Sequence, residues 1–344
     1  MKNLLILILL FPALTFSQTA KKYFKLGNQK LDSAKYREAE EYFSQAISLN
    51  PKYADAYHKR AKAKDLQGNY KGAVADLTDA LVINPKDVNA YNERAFINLS
   101  ALDKKAAIAD YDQWIALEPN SPIAFQRRAN AKYNLKDYAG SIQDNTEVIS
   151  LAPKNINAYA NRASAKWTLK DYEGAIQDYK SAASLDEKYT WIYYNSIGIV
   201  KQEMKDYKGA INSYTQSIAI KADQATYMNR GHALLKIGDY KSAIEDFTAA
   251  LSLFKDTQIP NSYLFKSNIY EAIGEAKSLG GDYENAIKDF NEAIDLYPEY
   301  KEAYSNRADA RNHAGDKDGA CADWNKAANL GYAPAKDNIS KFCK

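Results

Sequence analysis

Hydrophobic and polar positions along this chain follow the period of an α-helix, and the helical stretches recur in one form. An aromatic is followed after four residues by a small residue. Twelve residues on stands a second small residue, followed after four by an aromatic or Leu. The pattern occurs nine times, first as Tyr23, Gly27, Ala39 and Phe43 and last as Tyr304, Ala308, Ala320 and Trp324. Asn145 is the one polar residue in the fourth place. The echo is visible by eye in DYEGAIQDY at 171–179, DYKGAINSY at 206–214, DYKSAIEDF at 239–247 and DYENAIKDF at 282–290. Residues four apart share one face of a helix, so each repeat predicts two antiparallel helices of about a dozen residues. The Asp or Asn of the DY and NY dipeptides caps the second helix or starts the turn before it. Small residues let the two helices approach closely. The rings fill the gap between them, with tyrosine hydroxyls at a wet edge, which accounts for the 27 tyrosines.

A pair of short helices cannot bury its apolar face alone, so each repeat stacks on copies of itself. Pro51, Pro85, Pro119 and Pro153 stand 34 residues apart, and Pro298 fills the same place later. With its order of small residue, aromatic, small residue and closing proline, the sequence resembles the tetratricopeptide repeat. That resemblance implies an all-α, right-handed superhelical solenoid of about nine helix-turn-helix repeats over 20–331, with a capping helix at 332–344. Pro334 suits the cap's first turn, and Ile339 and Phe342 share one side of it. The register slips once: Ala243 and Ala286 are 43 residues apart, and the excess falls at 253–268. Pro260 there is expected to start an early helix. Ile259, Tyr263, Leu264 and Phe265 form a candidate contact surface, or else a longer helix packed on its neighbour.

The first 17 residues read MKNLLILILLFPALTFS: a lysine, a short apolar run and small residues two apart. They predict a secretory signal cleaved after Ser17, and hence an exported, periplasmic or secreted protein. In such a compartment Cys321 and Cys343 are expected to pair.

Arg precedes the small residue of the first helix in six repeats, and Asp follows sixteen residues later: Arg60 and Asp76, Arg94 and Asp110, Arg128 and Asp144, Arg162 and Asp178, Arg230 and Asp246, Arg307 and Asp323. Repeats one and six lack both, so the two residues nearly come and go together. A forked ion pair tying the helices of one repeat is expected, making these charges structural. The eighth repeat breaks the match with Ile273 and Asp289.

With 46 basic and 43 acidic residues and no clustered excess, the chain is not a nucleic-acid binder by charge. No nucleophile–base motif, phosphate loop or metal-ligand spacing is present, so neither catalysis nor a cofactor or metal is expected. The resemblance implies instead a groove lined by the first helices that holds a peptide or partner protein. Carried onto this sequence, the groove positions include Asn28, His58, Lys59, Lys62, Asn92, Arg127, Asn130, Asn161, Asn195, Asn229 and Asn306. Amide side chains both donate and accept, which suits gripping a backbone. Lys25, Lys59, Lys62 and Arg127 make the N-terminal half mildly basic, while Phe24 and Glu93 interrupt the family's set of residues for clamping a peptide carboxylate. The expected function is a non-catalytic protein–protein interaction scaffold. The alternative is a binder of a non-protein ligand, such as cell-wall glycan, in the same groove.

Overall fold

The computed structural model describes residues 18–254 and 262–343, all helix and short connections. The expected leader, Ile259 and Pro260 lie outside the described residues. The described chain falls into two compact units that meet in sequence between Lys170 and Asp171.

The N-terminal unit holds α1 (18–32), α2 (Tyr36–Leu49), α3 (Ala54–Leu66), α4 (Tyr70–Ile83), α5 (Val88–Ser100), α6 (Lys104–Leu117), α7 (Pro122–Asn134), α8 (Tyr138–Leu151) and α9 (Ile156–Thr168). The C-terminal unit holds α10 (Tyr172–Leu185), α11 (Thr190–Glu203), α12 (Tyr207–Ile220), α13 (Gln224–Lys236), α14 (Tyr240–Ser252), α15 (Ser262–Leu279), α16 (Tyr283–Leu296), α17 (Lys301–His313), α18 (Lys317–Asn329) and α19 (Pro334–Phe342). Within each unit every helix packs on the one before it. First helices of successive repeats also touch: α7 with α9, α11 with α13, α15 with α17.

One turn design links the first and second helix of each repeat. Between α7 and α8, Lys136 takes φ +67°. The Asp137 N–H donates back to the Lys132 carbonyl at 2.9 Å, which closes the end of α7. The Asp137 carboxylate then accepts from the Gly140 N–H, also at 2.9 Å, and opens α8. The same cap is made by Asn69, Asp103, Asp171, Asp206, Asp239, Asp282 and Asp316. In the first repeat Lys35 stands in that place and makes no side-chain cap.

Where the small residue of the first helix is glycine, it faces the ring of the second helix at close range. A Cβ built on Gly231 would lie 2.5 Å from Phe247 Cε1, and one on Gly198 would lie 2.3 Å from Tyr214 Cε1. Gly27 and Gly274 face Phe43 and Phe290 in the same manner. These rings are fully buried. The expectation that tyrosine hydroxyls reach a wet edge fails at two of the largest. Tyr111 and Tyr214 are 1% and 0% exposed, and Tyr214 Oη donates to Gln202 Oε1 at 3.2 Å inside the repeat. Burial pushes both phenols up. At Asn145, buried like the rings it replaces, Nδ2 donates to the Ser141 carbonyl at 2.9 Å.

Part of the register slip is taken up by α15, which has 18 residues where the other first helices from α3 onward have 13 or 14. Tyr263 and Phe265 on its first turn are exposed, and Phe265 stacks on Phe254. At the C-terminus α19 lies on α18, with Phe342 stacked on Trp324 at 5.4 Å. A disulfide joins Cys321 to Cys343.

Candidate functional site

The Arg and Asp residues sixteen apart form forked pairs. In Arg128, Nε lies 2.9 Å and Nη2 2.7 Å from the two Asp144 oxygens. The same fork joins Arg60 to Asp76, Arg94 to Asp110, Arg230 to Asp246 and Arg307 to Asp323. Arg162 and Asp178 lie on opposite sides of the boundary between the two units. Sequence spacing does not show two further features. A second cation reinforces some carboxylates: Lys64 on Asp76, Lys132 on Asp144 and Arg311 on Asp323. The third guanidinium nitrogen reaches back to the preceding repeat, from Arg60 to Ser44, Arg94 to Thr78, Arg128 to Asp112, Arg162 to Thr146, Arg230 to Thr215 and Arg307 to Asn291. Each Arg also lies over the aromatic that opens its own repeat, as Arg128 does over Phe125 at 5.4 Å. These charges are therefore occupied with holding helices together. In the eighth repeat, where Ile273 replaces Arg, Lys277 takes over Asp289 at 2.6 Å.

The other nominated residues lie on the first helices, free of this framework. In the N-terminal unit, Lys62, Asp65, Asn92, Glu93, Phe96 and Arg127 line one cleft. Its basic character is offset. Lys62 lies 4.0 Å from Asp65, and His58 is held by Glu93 at 2.8 Å, with Asp87 3.9 Å away. Donating to the Glu93 carboxylate raises the His58 pKa. Asn92 Oδ1 is buried with no hydrogen-bond partner among the described residues. Lys59 is exposed and Asn28 half-buried on the same series of helices. A second cleft is lined by Asn130, Tyr133, Asn134, Asn161 and Ser164. There Asn161 Nδ2 donates to Asn130 Oδ1 at 3.2 Å, across α7 and α9.

In the C-terminal unit Asn229 Nδ2 donates to Asn195 Oδ1 at 3.1 Å, linking α11 and α13 in the same way. Asn306 donates to Glu271 Oε1 at 2.6 Å, linking α15 and α17. Two clefts follow. One is lined by Met228, Asn229, His232, Phe265, Asn268, Glu271 and Tyr300. The other is lined by Glu275, Ser278, Tyr283, Asn306, Asp309 and His313. Sequence reasoning passed over Glu271, Glu275 and Asp309. The signal was there: Glu275 and Asp309 follow the small residue of their first helices, the register that Lys62 and Asn130 hold earlier. That register holds Asn28, Lys62, Phe96 and Asn130 in the first four repeats and an acid in each of the last two.

Models of the tetratricopeptide repeat match residues 24–88, 156–189, 222–299 and 272–334, together more than half of the chain. A search among curated proteins returned no match. Among solved structures, the chain is similar to the anaphase-promoting-complex hetero-tetramer Cut9–Hcn1, with 18% identity and a TM-score of 0.50. The match covers 90% of this chain and 59% of that one. It is also similar to MamA (21% identity, TM-score 0.47, covering 50% of this chain and 94% of that one). A third is YrrB, described as a repeat protein of this kind with an unusual peptide-binding site (16% identity, TM-score 0.45, covering 56% and 95%). No helix among the described residues is long and apolar enough to cross a membrane.

Proposed function

From its membership of the tetratricopeptide-repeat family, to which the matched repeats assign it, we propose that this protein is a non-catalytic scaffold that binds a peptide or partner protein on the faces of its first helices. We place that work outside the cytoplasm, on the strength of the leader-like first 17 residues and the Cys321–Cys343 disulfide.

The observation that carries the reading is the division of labour among the polar side chains. The forked Arg and Asp side chains are committed to one another within hairpins and tied to the preceding ones. The amides on the cleft side of the first helices are not held by those forks. They pair loosely along the first helices, Asn130 with Asn161 and Asn195 with Asn229, at the mouths of clefts that also expose rings. An amide pair joined by one hydrogen bond keeps a donor and an acceptor for a further partner. An extended peptide laid along the clefts offers both kinds of group at each residue.

The test is a photoreactive amino acid in place of Asn161, with crosslinking carried out in the native compartment. Discrete protein adducts, lost when an excess of unlabelled protein competes, support the proposal. Retention of cell-wall glycan without protein adducts overturns it in favour of a non-protein ligand. Recovery of the chain only in the cytoplasmic fraction overturns the placement.

A further inference from the structure

Among the described residues, most carboxylates withdrawn from water have a cation beside them. Asp144 has Arg128 and Lys132, Asp246 has Arg230, Asp289 has Lys277, and Asp323 has Arg307 and Arg311. Glu271 breaks the pattern. It sits half-buried on α15 and accepts a hydrogen bond from Asn306 on α17. The charged groups that act on it are two further carboxylates, Glu275 and Glu302. Burial first, and then those two neighbours, push its carboxyl up to about 7. A carboxylate withdrawn from water without a counter-charge is a net cost to the fold; the Asn306 amide offsets part of it, and among the described residues no cation does.

The surroundings of Glu271 are of a different kind. The cleft it floors, about 360 Å³, has Met228, Phe265 and Tyr300 in its walls, and Phe265 is 40% exposed. His232, in the same wall, does not provide the missing charge. Burial, with Lys236 adding to it, holds the His232 pKa below its ordinary value, so the ring is neutral at pH 7. The cleft therefore presents apolar and aromatic surface around a carboxyl group that has no cation beside it among the described residues. Complementarity asks for a side chain with an apolar stem and a flat, delocalised cation that lies well against rings. Arginine has these properties, while the ammonium of lysine is compact and strongly hydrated.

Resting on the reading that the first helices bind a peptide, we infer that this cleft is a specificity pocket for an arginine side chain of the partner, its guanidinium on Glu271 and its stem against Phe265 and Tyr300. The amides of Asn229 and Asn268, in the same cleft, are placed to hold the peptide backbone on either side.

The experiment is selection from a random peptide display library on the immobilised full chain, in parallel with Glu271→Gln. Gln keeps the acceptor for Asn306 and removes the charge. A circular-dichroism melt checks that the variant is folded, and Glu275→Gln serves as a second neutralised variant. The expected result is enrichment of arginine with wild type that is lost with Glu271→Gln. Replacing that arginine by citrulline in a selected peptide should weaken binding roughly tenfold or more, as a charge-assisted hydrogen bond implies. Enriched peptides without arginine, or arginine enrichment that survives Glu271→Gln, overturn the pocket and leave the peptide-binding reading standing. No enrichment of any sequence overturns both.

Discussion

The Arg128 guanidinium touches three helices at once: its own α7 through the side chain's stem, Asp144 on α8 through a fork at 2.7 and 2.9 Å, and Asp112 on α6 through Nη1 at 2.7 Å. Asp144 is 1% exposed. Removing the arginine leaves that carboxylate buried with Lys132 alone and also cuts the tie to the preceding repeat. Arg128→Ala is expected to destabilise by about 3 kcal/mol, the range for breaking a buried pair from one side. Arg128→Lys, which cannot fork, should recover only part of this. Because stability in a stacked array is local, hydrogen exchange should rise across α6, α7 and α8 before it rises in α2 or α3. An unchanged urea midpoint and exchange pattern would show that the fork is not structural.

Gly231 and Phe247 make the next test. Gly231→Ala gains about 1 kcal/mol of helix propensity but drives a methyl to 2.5 Å from a fully buried ring. The ring has no room to retreat, since it is packed in one buried cluster with Ala250, Ile269 and Ile273. Overpacking of this kind costs about 1–3 kcal/mol, so the net expectation is a loss. Elsewhere the chain already uses the compatible combination: in the second repeat Ala61 stands opposite Leu77, both fully buried. The double variant Gly231→Ala with Phe247→Leu should therefore melt above Gly231→Ala alone. If the single substitution raises the melting temperature, the close approach is not what selects glycine there.

The contrast between these pairs shows what was legible in the sequence. Spacing alone located the small residue, its facing ring and the forked ion pair, because each is fixed by helix period within one hairpin. The back-reach of the arginines was not legible. Its acceptor is Ser44, Thr78, Asp112, Thr146, Thr215 or Asn291: the hydrogen-bonding capacity recurs while the residue type does not. The hydroxyls of Tyr111 and Tyr214 were misplaced for a related reason, since a period says which face a ring takes but not how deeply the neighbouring repeat covers it. The acidic floor at Glu271 escaped because amides and cations were sought after the opening aromatic, where His58, Asn92 and Asn195 stand, and Glu271 is the one acid at that place.

At the C-terminus the disulfide closes a separation of 22 residues, worth about 3 kcal/mol on the loop-entropy account. The cap α19 has only nine residues, too few to hold a helix in isolation. Its hold is the stack of Phe342 on Trp324, the buried Ala335 and the covalent link. Reduction, or Cys321→Ser with Cys343→Ser, is expected to free α19 first and then expose Trp324. Tryptophan fluorescence should shift to the red, and exchange should rise in α18 and α19 with the N-terminal unit unchanged. A reduced protein with an unaltered spectrum and exchange pattern would show that packing alone holds the cap.

Glu271 makes stability depend on pH in a direction opposite to most carboxylates. Its folded pKa, about 7, lies above the 4.5 of an unburied glutamate. Between those values the folded chain binds a proton that the unfolded chain has released, so stability falls as pH rises from about 4.5 to about 7 and then levels. The groups facing it are Glu275 on its own helix, Glu302 on α17, Tyr300 just before that helix, and His232 from α13 across the cleft. His232, with its pKa lowered, acts in the reverse sense: its contribution is lost as pH falls below the ordinary histidine range. The difference between Glu271→Gln and wild type cancels that background. The variant is expected to match wild type near pH 4.5 and to exceed it by about 1–3 kcal/mol at pH 8, discounted for the partial exposure of the carboxylate. Thermal melts of both proteins across this range decide the matter. A difference that stays constant with pH, or favours wild type at pH 8, would mean that the Glu271 charge is already compensated within the fold.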